Sequence, residues 1–277
     1  MSHIILACGS AARGDTNARS DIDIVCIWKG SRPKFSELKQ QYGEIMFYSE
    51  ETILKMRGKG SLFLTHLDVE GKFISGSIEL MELFSGFRPT QLQLEENISR
   101  TRDFIKNIKW YPSGRIGGYW LLDVLYVSLR NCIYCQNAIN GIYKFGYEAA
   151  AKEFGITPSD LEFMLKIREG KYCYRSGLFS EEVRLDASEL ENICAKIIGG
   201  KVSLKQGGKT DWSSDWSNDY WSERLIERAI INEEHSDQLF MKKLRNHNYN
   251  RFSLRNDVFS IILSHQKRRW NDYVGLN

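Results

Sequence analysis

Two short apolar runs, Ile4–Cys8 and Ile22–Trp28, flank a small, charged loop, and two aspartates, Asp21 and Asp23, stand on either side of Ile22. No other stretch restricts the fold as tightly. Side chains at i and i+2 of a strand share one face. Asp21 and Asp23 are therefore expected to project together, with Ile22 and Ile24 packed beneath. Two carboxylates held that close repel one another unless a cation lies between them, and paired oxygen ligands suit Mg²⁺. Ahead of them ILACGS reads as a buried strand running into a turn at Gly9 and Ser10. Small residues there let backbone N–H groups approach phosphate oxygens. A phosphate-binding turn followed by a two-carboxylate metal site is the least apparatus that can move a nucleotidyl group. Without a metal role, the aspartates would simply cap a strand end beside a chance Gly-Ser turn.

In order and spacing, Gly9-Ser10, Ala12-Arg13-Gly14 and Ser20-Asp21-Ile22-Asp23-Ile24 resemble the signature of the DNA polymerase β-like nucleotidyltransferase superfamily. The likeness is to its small bacterial branch with a GSxARG loop. It implies that Asp21 and Asp23 hold two Mg²⁺ ions, with Mn²⁺ an acceptable substitute, and that Gly9 and Ser10 hold the β- and γ-phosphates of an NTP or dNTP. Arg13 and Arg19 flank the turn, and Arg suits bidentate phosphate contact. The family also places a third carboxylate on a later strand, to take the proton of the attacking hydroxyl or hold the second metal. Glu44, opening the strand GEIMFYS, is the residue expected there, where most relatives carry Asp. Asp68, in the helical FLTHLDVEG, is its competitor. Arg130 and Lys171 are further phosphate ligands by the same resemblance. For them, and for Arg175, an ion pair with Asp123 or a solvated face is the competing reading.

In size and layout the chain is also similar to Hailong-type antiphage nucleotidyltransferases, which make short DNA oligomers from a tyrosine near the C-terminus. That likeness implies Tyr273 as primer, a short single-stranded oligonucleotide or nucleotide signal as product, and an effector protein as partner. Two other readings stay open. One is transfer to a protein or small-molecule hydroxyl, as in antitoxin-like or antibiotic-modifying relatives. The other is an inactive nucleotide-binding partner module.

The fold class expected is α+β: a small mixed-sheet catalytic domain over residues 1–88, then an all-α domain over 89–277 with a flexible loop near 199–220. A chain of 277 residues has room for both. In the second part the apolar spacing predicts helices over 97–110, 115–143, 145–154, 158–169, 222–240 and 256–273, and almost no strand. Trp212, Trp216 and Trp221 alternate with aspartates, which favours packing over stacking on bases. His66, between leucines, reads as a structural histidine. Arg255 and His265 are too far apart, and Arg245 and His247 too close, for the Arg–His spacing of the RNases that accompany small nucleotidyltransferases.

A formal charge of +3 does not by itself demand nucleic acid. No apolar run approaches the roughly 18 residues that span a bilayer, and Ser2-His3 lead straight into a strand, so neither a membrane anchor nor a signal peptide is expected. The six cysteines follow no framework spacing, and Cys132 and Cys135 sit in a helix-like apolar run. Reduced thiols and a cytoplasmic location follow.

Overall fold

The computed structural model describes residues 2–15, 23–177, 186–214, 216, 220–245 and 251–274. In chain order, strand β1 (Ser2–Cys8) runs into α1 (Gly9–Arg13). Then come β2 (Asp23–Lys29), α2 (Phe35–Tyr42), β3 (Ile45–Ser49), α3 (Glu50–Gly58), α4 (Leu62–Glu70), β4 (Lys72–Gly76) and a 3₁₀ turn, Ile78–Leu83. The rest is mostly helical: α5 (Gln91–Ile108), β5 (Trp110–Tyr111), α6 (Gly114–Ile139), α7 (Tyr147–Phe154), α8 (Pro158–Ser176) and α9 (Ala187–Ile198). It closes with β6 (Lys205–Gln206), α10 (Tyr220–Ile231), α11 (Gln238–Arg245) and α12 (Arg251–Val274). The fold is α+β, a mixed sheet followed by a helical region. Among the described residues no helix is long and apolar enough to cross a membrane. The chain separates into two compact units: Met1–Arg102 with Ser128–Phe163, and Asp103–Val127 with Met164–Asn277.

The sheet of the first unit has the order β3-β2-β1-β4, with β1 antiparallel to both neighbours and β2 parallel to β3. Its central strands are apolar on both faces, as strands covered on two sides must be. Ile4, Leu6, Cys8, Val25 and Ile27 pack on one side with Ile53, Leu64, Leu67 and Phe84. Ile5, Ile24, Cys26 and Ile45 pack on the other with Leu38, Tyr42 and Phe47. Ser49 caps α3, its side chain accepting the Thr52 N–H at 3.2 Å, as its position before Glu50 and Glu51 predicts. Residues 59–61 separate α3 from α4. The later part of this unit packs Leu94 and Ile98 of α5 against Cys135 and Ala138 of α6.

The second unit departs from its sequence reading in two places. Two strands occur where almost none was expected: β5 and β6 pair in parallel, Trp110 opposite Lys205 and Tyr111 opposite Gln206. Arg228 secures the β5 side of this ribbon, donating to the carbonyls of Ile108 (2.8 Å) and Trp110 (3.3 Å) and stacking 3.9 Å from the Trp110 ring centroid. The helix expected over 222–240 is two helices, α10 and α11, broken where Glu233 takes a left-handed φ of 59°. The tryptophans pack, as their alternation with aspartates suggests. Trp221 lies in α10 and stacks on Phe104 at 4.2 Å, and Trp212 and Trp216 pack against the core of α10, α11 and α12. Elsewhere in this unit Asp123, fully buried, binds Arg175 at 2.8 Å and Arg224 at 2.7 Å. Arg224 also pairs with Glu227, which accepts the Tyr174 hydroxyl.

Candidate active site

Asp23 opens β2 opposite Cys8, the last residue of β1, so the aspartate and the Gly9–Ser10 turn meet at one edge of the sheet. The approach is close. A Cβ built on Gly9 would lie 2.4 Å from Asp23 Oδ2, and Gly9 itself has φ +72°. Only glycine meets both conditions without displacing the carboxylate. Strand alternation puts Asp23 on the face of Val25 and Ile27, away from Ile24. The parallel register of Ile24 with Ile45 sets the preceding residues, Asp23 and Glu44, level with each other. Both are exposed. Glu44 lies one residue ahead of β3 rather than inside it.

Cys8 lies under this edge, its Sγ 3.5 Å from the Asp23 carbonyl. Burial pushes its thiol up to about 12, with help from the charges of Asp23 and Glu70. It is a packing group and not a nucleophile.

Arg13, at the last position of α1, lies 2.6 Å from Glu70 Oε2 through Nη1 and 3.1 Å from Asp15 Oδ2 through Nε. Glu70 Oε2 is also 2.9 Å from His66 Nε2, though the ring N–H is not aligned for a hydrogen bond. Glu70 Oε1 accepts the Phe145 N–H at 3.2 Å. Burial works to raise the Glu70 pKa, but His66 and Arg13 outweigh it and hold the group below its ordinary value. His66 stacks against Phe145 at 4.7 Å, and Tyr134 donates its hydroxyl to the Phe145 carbonyl. Gly146 completes the enclosure, with a notional Cβ 3.1 Å from Asp15 Oδ2. The segment following α6 thus borders the motif.

Glu70, Phe145 and Gly146 did not stand out in the sequence. The one available signal was the i,i+4 spacing of His66 and Glu70, which puts both on one helix face.

The remaining expected residues are dispersed. Asp21 and Arg19 lie outside the described residues. Asp68 does not face solvent: it accepts the Gly86 N–H at 3.0 Å and pairs with Arg88 at 2.6 Å, fastening that turn to α4. Arg130 is half-buried on α6 in the first unit, 5.8 Å from the Tyr134 ring centroid. Lys171 is on α8 in the second unit, 4.4 Å from the Tyr172 ring and 5.3 Å from that of Tyr126. Arg175 takes the competing reading, paired with Asp123. Tyr273 falls in the last turn of α12, its side chain outside the description.

Among the described residues no three His, Cys, Asp or Glu side chains gather as a metal cluster. The expected set includes Asp21, which is outside them. The donors that are described, Asp23 and Glu44, are exposed carboxylates at one sheet edge, and all-oxygen donors of this kind fit Mg²⁺. No family model and no curated protein sequence matches the chain.

Proposed function

We propose that the chain is a divalent-cation-dependent nucleotidyltransferase. The observation that carries this reading is the contact of Asp23 with Gly9, with Glu44 level in register at the same sheet edge. It brings together a turn that admits phosphate oxygens, an acid that can hold a cation and a second acid that can receive a proton. In this reading an acceptor hydroxyl attacks the α-phosphorus of an NTP or dNTP, and its proton passes to Glu44. The bond between the α-phosphorus and the bridging oxygen breaks, and pyrophosphate departs. Asp21, Asp23 and Glu44 would hold Mg²⁺, which supplies charge neutralisation for the triphosphate. Gly9 and Ser10 offer backbone donors to the β- and γ-phosphates, and Arg13 adds a cation at the far end of α1. The acceptor we favour is the growing end of a short oligonucleotide, made without a template and started on Tyr273.

The test is mass spectrometry of the purified protein after incubation with Mg²⁺ and each common nucleotide, alongside Asp23→Ala and Glu44→Gln. Oligomers, or a nucleotide mass on the protein that is lost in Tyr273→Phe, support self-primed polymerisation. Pyrophosphate release without oligomers assigns the acceptor to another molecule. If wild type releases no more pyrophosphate than Asp23→Ala with any nucleotide, the transferase reading is wrong and a nucleotide-binding module takes its place.

A further inference from the structure

Glu70 is the last residue of α4, yet its carboxylate gathers groups from three chain segments. Exposed ion pairs contribute little because water screens them and their side chains wander. This pair is different. The side chains of Arg13, Glu70 and His66 are only 22%, 12% and 18% exposed, and one Glu70 oxygen is tied to a backbone N–H. Phe145, which gives that N–H, is held in turn by the Tyr134 hydroxyl and by the His66 ring. A carboxylate fixed this way can fix what it binds.

What it binds is a guanidinium with five N–H donors. Arg13 directs Nε to Asp15 and one Nη1 donor to Glu70. Carboxylates on two edges define the plane of the group, and among the described residues three N–H donors remain. Gly9 and Ser10 are the first residues of the helix that Arg13 ends, so the rise between Gly9 and Arg13 is only about 6 Å.

We propose that Glu70 is a positioning residue that presents Arg13 as a pre-oriented phosphate donor beside the Gly9–Ser10 turn. The identity of the ligand as a nucleoside triphosphate rests on the transferase reading; the presentation of Arg13 does not. Preorganised donors bind better because their ordering cost has already been met in folding. With Glu70 neutral, Arg13 keeps its charge but loses its aim.

Inorganic tripolyphosphate, titrated calorimetrically into the full-length protein with and without Mg²⁺, tests this. Arg13→Ala is expected to weaken binding by about tenfold. Glu70→Gln is expected to weaken it several-fold, and the double variant no more than Arg13→Ala alone, because residues acting through one contact are not additive. Melting curves run in parallel identify any variant that has lost its fold. Should Glu70→Gln do so, Glu70→Asp keeps the charge but withdraws the oxygens by about one bond length, and is expected to weaken binding only while Arg13 is present. Unchanged affinity in Glu70→Gln or in Arg13→Ala, or additive losses, would overturn the proposal. Tripolyphosphate binding that needs both residues, without any nucleotidyl transfer, would uphold it while removing the transferase reading. Transfer that needs Asp23 but is indifferent to Glu70 would do the reverse.

Discussion

At Gly9 two demands coincide: a left-handed backbone and a carboxylate where a side chain would begin. A left-handed L-residue costs about 1–2 kcal/mol, and the new methyl also displaces Asp23. Gly9→Ala is therefore expected to lower the melting temperature modestly while abolishing the Mg²⁺-dependent turnover proposed above, an imbalance that thermal melts and pyrophosphate release together would reveal. Glu70 has its signature in acid. Its folded pKa is held below the ordinary carboxylate value of 4.5, so its contribution to stability is complete above that value and is lost as pH falls through the folded one. Urea unfolding between pH 6 and pH 3 should show wild type losing more stability on acidification than Glu70→Gln. Gly9 and Asp23 were legible in sequence because one strand register brings neighbours of a short motif together. Glu70 was not. Its partners Arg13 and Phe145 lie 57 and 75 residues away, and the one local signal, His66 four residues earlier, does not by itself distinguish it from a solvated acid at a helix end.

Among the elements, α10, α11 and α12 enclose a core that Trp212 and Trp216 cover from outside. Trp212 lies flat on His265 at 3.7 Å, and Gln266 donates to its carbonyl. His265 Nε2 in turn meets His235 Nδ1 at 3.1 Å. Trp212→Ala should cost about 2 kcal/mol in chemical denaturation, toward the low end for large-to-small substitution because the ring is half-buried. The break between α10 and α11 escaped the sequence reading because it carries no glycine or proline; Glu233 supplies the left-handed residue instead. The pairing of β5 with β6 escaped for another reason. Two-residue strands are too short to show any alternation, and the two are joined by backbone bonds, Lys205 N–H to the Lys109 carbonyl at 2.9 Å and Gly207 N–H to that of Tyr111 at 2.8 Å. α9 carries a plain helical pattern, Asp186 accepting the Glu189 N–H ahead of buried Leu190, Ile193 and Ile197.

Across the molecule the cysteines offer a direct measure of folding. All six are thiols; five are buried, with Cys173 partly accessible. Burial pushes the thiols of Cys8, Cys26, Cys132 and Cys135 up to about 12, and an unionised thiol is a poor nucleophile. Native protein at pH 8 should therefore release about one equivalent of thionitrobenzoate quickly from Ellman's reagent, and all six in denaturant; fast reaction at several sites would contradict this core. The discontinuity of the first unit carries a consequence in time. Its sheet and motif belong to Met1–Arg102, but Phe145 and Gly146, which border the motif, come from Ser128–Phe163. At roughly 5–20 residues per second, several seconds of translation separate the emergence of the sheet from that of the segment that fastens Glu70. A nascent chain in that interval carries its acids but lacks their support. If the proposed transferase reading holds, competence arrives late in synthesis, after the acids of the motif.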